Sequence, residues 1–145
     1  MLTGEYLHNL DNKGRLIIPS KLRNCFQDEI IITRGLDGCL FGYSKDTWNE
    51  MIKKLETLSF TKKDARNFIR FFTSSAISLG FDKQGRINIP SYLLDYATLK
   101  EDVIIIGVIN RIEIWDRDNW NSFMKENVES LSDISYDLFD SSLGL

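Results

Sequence analysis

The chain has 145 residues, which suits one domain or two small halves that share a core. Hydrophobic residues make up 43% and charged residues 27%, enough to bury a core and ordinary for a soluble protein. No apolar stretch approaches the ~20 residues of a membrane span, and the start of the chain lacks the basic segment of a signal peptide. We therefore expect a cytoplasmic protein with no membrane partner.

The formal net charge of −3 argues against a generally basic surface of the kind that binds nucleic acid. The distribution of charge is uneven, however. All 18 Lys and Arg residues lie at or before Lys125, whereas five of the 21 acidic residues follow it, so residues 1–125 carry a net charge of +2. Any DNA site must therefore be a local concentration of basic groups, or one multiplied by oligomerisation.

The chain is an internal duplication. Residues 10–22, LDNKGRLIIPSKL, align with residues 81–93, FDKQGRINIPSYL, with seven identities in thirteen positions. Isoleucine-rich and aromatic positions recur in register further along both copies. We divide the chain into a first repeat at 1–58, a basic linker helix at 59–72, a second repeat at 73–130 and an acidic C-terminal tail at 131–145.

Both repeats predict the same elements in chain order. A strand leads through the turn D-x-x-G into a second strand, which suits a β-hairpin because glycine accepts positive φ. Proline then ends the strand and begins a short helix, two more strands follow, and Ser44 or Asp116 caps an amphipathic helix. The predicted strands are 3–10, 15–18, 29–33 and 39–43 in the first repeat and 75–81, 86–89, 102–108 and 111–115 in the second, and the longer helices are 45–57, 62–73 and 117–130.

One unit of about 55 residues has too little core to be stable alone. Two units that share one sheet or barrel would close each other's strand edges. The sequence therefore predicts a mainly β protein of the α+β class, with a pseudo-twofold β-barrel and helices at its periphery.

The repeated turn D-x-x-G-R carries the candidate chemistry. An arginine fork suits two phosphate oxygens or the O6/N7 edge of guanine, and the aspartate can bond the turn amides or orient the arginine. The same pattern also fits an ion pair that only pins a turn, worth ~0–1 kcal/mol if exposed. The residues alone leave both interpretations open. The candidate DNA-binding residues are Asp11, Lys13, Gly14, Arg15, Lys21 and Arg23 in the first copy and Asp82, Lys83, Gly85 and Arg86 in the second.

The two copies differ beside this turn. Tyr92 and Leu94 replace Lys21 and Arg23, so we expect the first copy to be the tighter site. The linker adds a second basic set, which we interpret as a solvated helix face opposite the phenylalanines. Its members are Lys62, Lys63, Arg66 and Arg70.

An enzyme is poorly supported by the sequence. One histidine, two widely spaced cysteines and no phosphate-binding glycine loop provide no catalytic set, no metal site and no cofactor site. We expect Cys25 and Cys39 to be reduced, packed thiols.

With two D-x-[KQ]-G-R-x-x-I-P motifs about 70 residues apart, the start M-L-T-G-E-Y and a basic, Phe-rich linker, the chain resembles the MraZ family over nearly its whole length. The resemblance implies the AbrB/SpoVT-like swapped-hairpin β-barrel, with both halves in one chain. It also implies a ring-shaped homo-oligomer, association with the nucleoid, and a transcriptional regulator that binds tandem DNA repeats upstream of the division and cell-wall gene cluster. The family's D-x-x-x-R motif, held responsible for contact with double-stranded DNA, falls on Asp11, Arg15, Asp82 and Arg86.

Two other functions remain open. The hairpins of a ring-forming interaction protein would bind another protein, with DNA incidental. An AbrB-like antitoxin would need a toxin partner, and the short tail leaves little room for a segment that wraps one. DNA binding through phosphates should weaken steeply as the salt concentration rises. This distinguishes a DNA-binding regulator from a ring-forming interaction protein and from an antitoxin.

Overall fold

The computed structural model describes residues 1–139. Each repeat contributes four strands, one short α-helix and one longer α-helix, α3 joins the repeats, and a 3-10 helix and a further α-helix follow at the end of the described residues. The first repeat contains β1 (Glu5–Asn9), β2 (Arg15–Ile17), α1 (Ser20–Arg23), β3 (Glu29–Arg34), β4 (Leu40–Tyr43) and α2 (Lys45–Glu56). After α3 (Lys63–Ser74) follow β5 (Ile77–Gly80), β6 (Arg86–Asn88), α4 (Ser91–Tyr96), β7 (Asp102–Val108), β8 (Arg111–Asp116), α5 (Arg117–Asn127), a short 3-10 helix (Val128–Ser130) and α6 (Leu131–Leu138).

The described strands form one antiparallel sheet of six, in the order β1-β7-β8-β4-β3-β5, and one of two, β2 and β6. The order is pseudo-twofold symmetric, because exchanging the repeats exchanges β1 with β5, β7 with β3 and β8 with β4. The expected α+β class is confirmed. The closed barrel stays a prediction.

The predicted hairpins are wrong beyond their turns. A backbone bond from Asp11 N to Arg15 O closes the first turn, but β1 then pairs with β7 of the other repeat instead of with β2. In the second repeat β5 likewise pairs with β3 of the first. Each repeat therefore completes the sheet of the other, and neither has a full set of strand partners alone.

The two short strands β2 and β6 pair only with each other. Arg15 lies opposite Asn88, Leu16 opposite Ile87 and Ile17 opposite Arg86. Reciprocal backbone bonds extend this ribbon, from Ile18 N to Gly85 O at 3.1 Å and from Ile89 N to Gly14 O at 2.9 Å. The chain thus ties each turn to the opposite repeat.

The six-stranded sheet is covered on both faces. The ribbon and the helices α1 and α4 pack on one face, where Leu16, Ile18, Ile87 and Ile89 are buried with the isoleucines of the central strands. Aromatic residues fill the other face under α2, α3 and α5. The aromatic positions that recur in both copies pack there: Tyr43 contacts Trp48 and Trp115 contacts Trp120, with ring centroids 5.8 and 5.2 Å apart.

Both helix caps predicted from the sequence are present. Ser44 accepts the N–H of Thr47 and Asp116 accepts the N–H of Asn119. The linker helix α3 begins after Lys62 without a side-chain cap. Part of the expected acidic tail at 131–145 is helical, since α6 covers Leu131–Leu138, and residues 140–145 lie outside the described residues.

Two neighbouring residues of β2 test the orientation of the ribbon. Leu16 is fully buried whereas Ile17 keeps 39% of its surface exposed. We predict that Leu16→Ala lowers the free energy of unfolding by about 2–5 kcal/mol, because it leaves a cavity in the core. The matched Ile17→Ala should cost about 0.5 kcal/mol or less. Urea denaturation of both variants checks this, and equal losses would contradict the orientation.

Candidate nucleic-acid interface

The outer face of the β2–β6 ribbon is polar, because strand residues alternate between faces. Leu16 and Ile87 point into the core, so their neighbours point away from it. The outer face therefore presents two arginines, one amide and one aliphatic side chain side by side. These residues are Arg15, Ile17, Arg86 and Asn88.

In the first turn the carboxylate of Asp11 binds both the backbone and the arginine. Oδ1 accepts the N–H of Lys13 at 2.9 Å and that of Arg15 at 2.8 Å. Oδ2 accepts the Nε–H of Arg15 at 2.6 Å. One oxygen thus fixes the turn and the other fixes the guanidinium.

The second turn repeats this arrangement. Oδ1 of Asp82 accepts the N–H groups of Gln84 and Arg86, both at 2.9 Å, and Oδ2 accepts Nε–H of Arg86 at 2.7 Å. The two turns also meet, since Nη1 of Arg86 lies 4.0 Å from Oδ2 of Asp11. The two guanidinium groups are therefore close neighbours at the surface.

The terminal nitrogens of both arginines remain available. Within residues 1–139, the hydrogen bonds of the Arg15 and Arg86 side chains run through Nε alone, to Asp11 and Asp82. About a third of the Arg15 side chain and a quarter of the Arg86 side chain are exposed. Each arginine is thus held at one edge while its outer Nη donors can bind a partner.

The aspartates stay ionised over the physiological range. The N–H of Arg15 lowers the pKa of Asp11 most, its guanidinium and the N–H of Lys13 lower it further, and desolvation opposes them. The pKa of Asp82 is lowered by the equivalent contacts with Arg86 and Gln84, again against desolvation. Both carboxylates therefore accept hydrogen bonds from their arginines throughout this pH range.

Two glycines allow the turns to form and to pack. Gly14 and Gly85 have φ of +79° and +77°, a region that side chains with a Cβ rarely adopt. A Cβ on Gly14 would also lie 2.9 Å from the carbonyl oxygen of Ile89. Both glycines are therefore needed for the backbone of the turn rather than for contact with a ligand alone.

The basic residues expected beside the turns are only partly brought together. Lys13 and Lys83 are exposed on their turns, and Lys21 is exposed on α1. Arg23 departs from the expectation: it lies against Gly85 of the second turn instead of extending the first. The reason is the crossed pairing of β2 with β6, which brings the end of α1 to the opposite repeat.

Two residues of the outer face were missed in the sequence. Ile17 and Asn88 lie beside the arginines, and Asn88 is the pseudo-symmetric counterpart of Ile17. The sequence feature that identifies them is the alternation of side chains along a strand. Once Leu16 and Ile87 are known to be buried, every second residue of the ribbon must point outward.

The basic linker agrees with its interpretation as a solvated face. Arg66 binds the carbonyl oxygens of Phe60 and Thr61, and Arg70 binds the side chain of Asn67.

In the described part of the chain, no group of three or more His, Cys, Asp or Glu side chains is arranged to hold a metal ion. Cys25 is exposed and Cys39 buried, and neither forms a disulfide. No helix among the described residues is long and apolar enough to cross a membrane.

Comparison with protein families matches nearly the whole chain in two consecutive stretches. The model of the family described as "MraZ protein, putative antitoxin-like" matches residues 1–71 and again residues 72–141. The chain belongs to the MraZ family. The two matched stretches confirm the tandem duplication, and each contains one D-x-x-G-R turn.

In this MraZ chain the Asp–Arg bonds should depend on pH in a defined direction. Because both carboxyl pKa values are lowered, the contribution of each bond is fully present above the ordinary value of 3.8. It is lost only as the pH falls through the lowered value. We predict that the Nε–H NMR signals of Arg15 and Arg86 stay constant from pH 7 to about 4 and change below it. Asp82→Asn should remove the transition of Arg86 alone, and transitions at or above pH 3.8 would contradict the assignment.

Proposed function

We propose that this protein is a sequence-specific DNA-binding transcriptional regulator that reads DNA with the outer face of the β2–β6 ribbon. One observation carries the proposal. Both arginines of the repeated motif are held at Nε by an aspartate of their own turn, and within residues 1–139 their Nη groups make no hydrogen bond and lie on one partly exposed face. Such preorganised forks match guanine edges and phosphate oxygens.

The shape and chemistry of the ribbon support this proposal. The major groove of B-DNA admits a two-stranded β-ribbon. Arg15 and Arg86 would each contact O6 and N7 of a guanine, or a phosphate beside it. The amide of Asn88 suits adenine, and the exposed side chain of Ile17 suits the methyl group of thymine. The ribbon therefore offers the groups that direct readout needs.

Assembly of several subunits would compensate for the weak positive charge that residues 1–125 carry in each chain. We infer from the family that the protein forms a ring-shaped homo-oligomer with the AbrB/SpoVT-like barrel as its subunit, works in the cytoplasm at the nucleoid, and binds tandem repeats upstream of the division and cell-wall gene cluster. Repeated ribbons on one ring would multiply a modest positive site. Affinity would then come from several repeats bound together.

Fluorescence anisotropy on labelled DNA from upstream of the gene, over a salt series, tests the proposal. We predict specific, salt-sensitive binding by the native protein. Replacing Arg15 and Arg86 with Ala should cost about 1–3 kcal/mol per arginine, because each loses a bidentate contact. The variant Lys63→Ala/Arg70→Ala removes the same charge from exposed positions of α3 and serves as the matched control.

The outcomes separate the candidate functions. If the arginine variant keeps its assembly by size exclusion but loses DNA, the ribbon is the DNA site. Shortening the DNA from several repeats to one should then weaken binding by more than the loss of sites alone, and unchanged affinity per repeat would contradict the multivalent ring. If both variants bind DNA like the native protein, the ribbon serves another partner, as in the antitoxin alternative, or is structural.

A further inference from the structure

The second turn carries an arginine from the opposite repeat. The guanidinium of Arg23, at the end of α1, packs on Gly85 so closely that a Cβ there would collide with it. Its Nη1 donates to the carbonyl oxygen of Ile18 at 3.1 Å. This bond places the charged group beside the turn that holds Asp82 and Arg86.

The first turn has no such arginine. Leu94 is the pseudo-symmetric counterpart of Arg23, and its Cδ1 would lie 3.3 Å from a Cβ on Gly14. An aliphatic side chain thus covers the first turn where a guanidinium covers the second. The two turns share one backbone design and differ in charge.

The residues that surround the two turns increase this difference in charge. A groove of about 340 Å³ at the second turn is lined by Arg23 and Lys83 together with the amides of Asn24 and Gln27. Among residues 1–139, neither of these two cations has a carboxylate within 4.0 Å, and Asp82, which also lines the groove, is already bonded to Arg86.

The corresponding groove at the first turn contains Lys100 and Glu101. There the lysine is bound to Asp116, with Nζ 3.0 Å from Oδ1. The first groove therefore offers no unpaired arginine, and its lysine already has an anionic partner.

We propose that Arg23 and Lys83 bind a backbone phosphate of double-stranded DNA at the second turn, which makes the second motif the stronger of the two DNA contacts. This inference rests on the proposed function of the ribbon. Arg23 shares this groove with the ammonium group of Lys83 and the amides of Asn24 and Gln27. Phosphate oxygens accept hydrogen bonds from guanidinium, ammonium and amide groups alike. The phosphate contact would position Arg86 over the base edge, since contacts to the backbone fix register and contacts to bases specify. It reverses the expectation that the first motif binds more tightly.

Exchanging the two pseudo-symmetric side chains tests the proposal on the full chain. We expect Arg23→Leu to lower the salt slope of DNA binding by about 1 and to weaken binding about fivefold whatever the sequence. Arg23→Lys should retain most of the slope, because the charge remains. Leu94→Arg should raise the slope by a similar amount. Thermal unfolding and size exclusion confirm that the variants remain folded and assembled.

Measuring Arg23→Leu in two backgrounds locates its effect. In the Arg15→Ala background, where DNA binding depends on the second turn, Arg23→Leu should weaken binding by its full factor. In the Arg86→Ala background it should weaken binding only slightly, because Arg23 and Arg86 act together. An unchanged salt slope, or equal losses in both backgrounds, would overturn the inference while DNA binding by the native protein still stands. If the native protein does not bind DNA, the proposed function and this inference fail together.

Discussion

The pairing of β2 with β6 is the constraint on which the rest of the structure depends. Each strand has three residues and no partner within its own repeat, so neither turn is anchored unless the two repeats meet. The inner side chains of this ribbon complete the core, while the outer ones are the candidate site. Changing the pairing by one residue would exchange these roles and bury the arginines. Stability and the proposed function would therefore depend on the same register.

The aspartate beside each arginine has a cost and a benefit for a DNA-binding surface. A carboxylate repels phosphate, so under the proposed function basic groups beyond the motif itself would have to offset this repulsion. It also removes the freedom of a long side chain before DNA arrives, and preorganised groups lose less entropy on binding. The geometry allows both, because Asp11 and Asp82 accept hydrogen bonds from Nε, while the Nη groups make no hydrogen bond within the described residues. Lysine, a single mobile charge, could not divide its donors in this way.

The sequence predicted features that local residues determine. Ser44 and Asp116 cap their helices as predicted, and the repeated motif identified both turns. In each case the residues that specify the structure lie within a few positions of it. Partners of strands are set by contacts distant in the chain, so the pairing of β1 with β7 was read incorrectly as a local hairpin.

The error at Arg23 has the same cause. Its sequence position assigned it to the first motif, and only the crossed ribbon shows that it reaches Gly85. Ile17 and Asn88 were missed because a strand of three residues gives too little alternation to identify its outer face.

Replacing both motif aspartates with asparagine tests the central claim most directly, because charge alone and orientation of the arginines predict opposite changes in DNA affinity. In Asp11→Asn/Asp82→Asn, the remaining oxygen can still accept the turn amides, whereas the new amide group cannot accept Nε–H from Arg15 or Arg86. The variant is more positive by two charges, so attraction to phosphate alone would strengthen DNA binding. If orientation by the carboxylates is what makes the arginines competent, affinity measured by anisotropy should instead fall by about tenfold or more, a loss of about 1.4 kcal/mol. Equal or tighter binding by a folded, assembled variant would contradict the account.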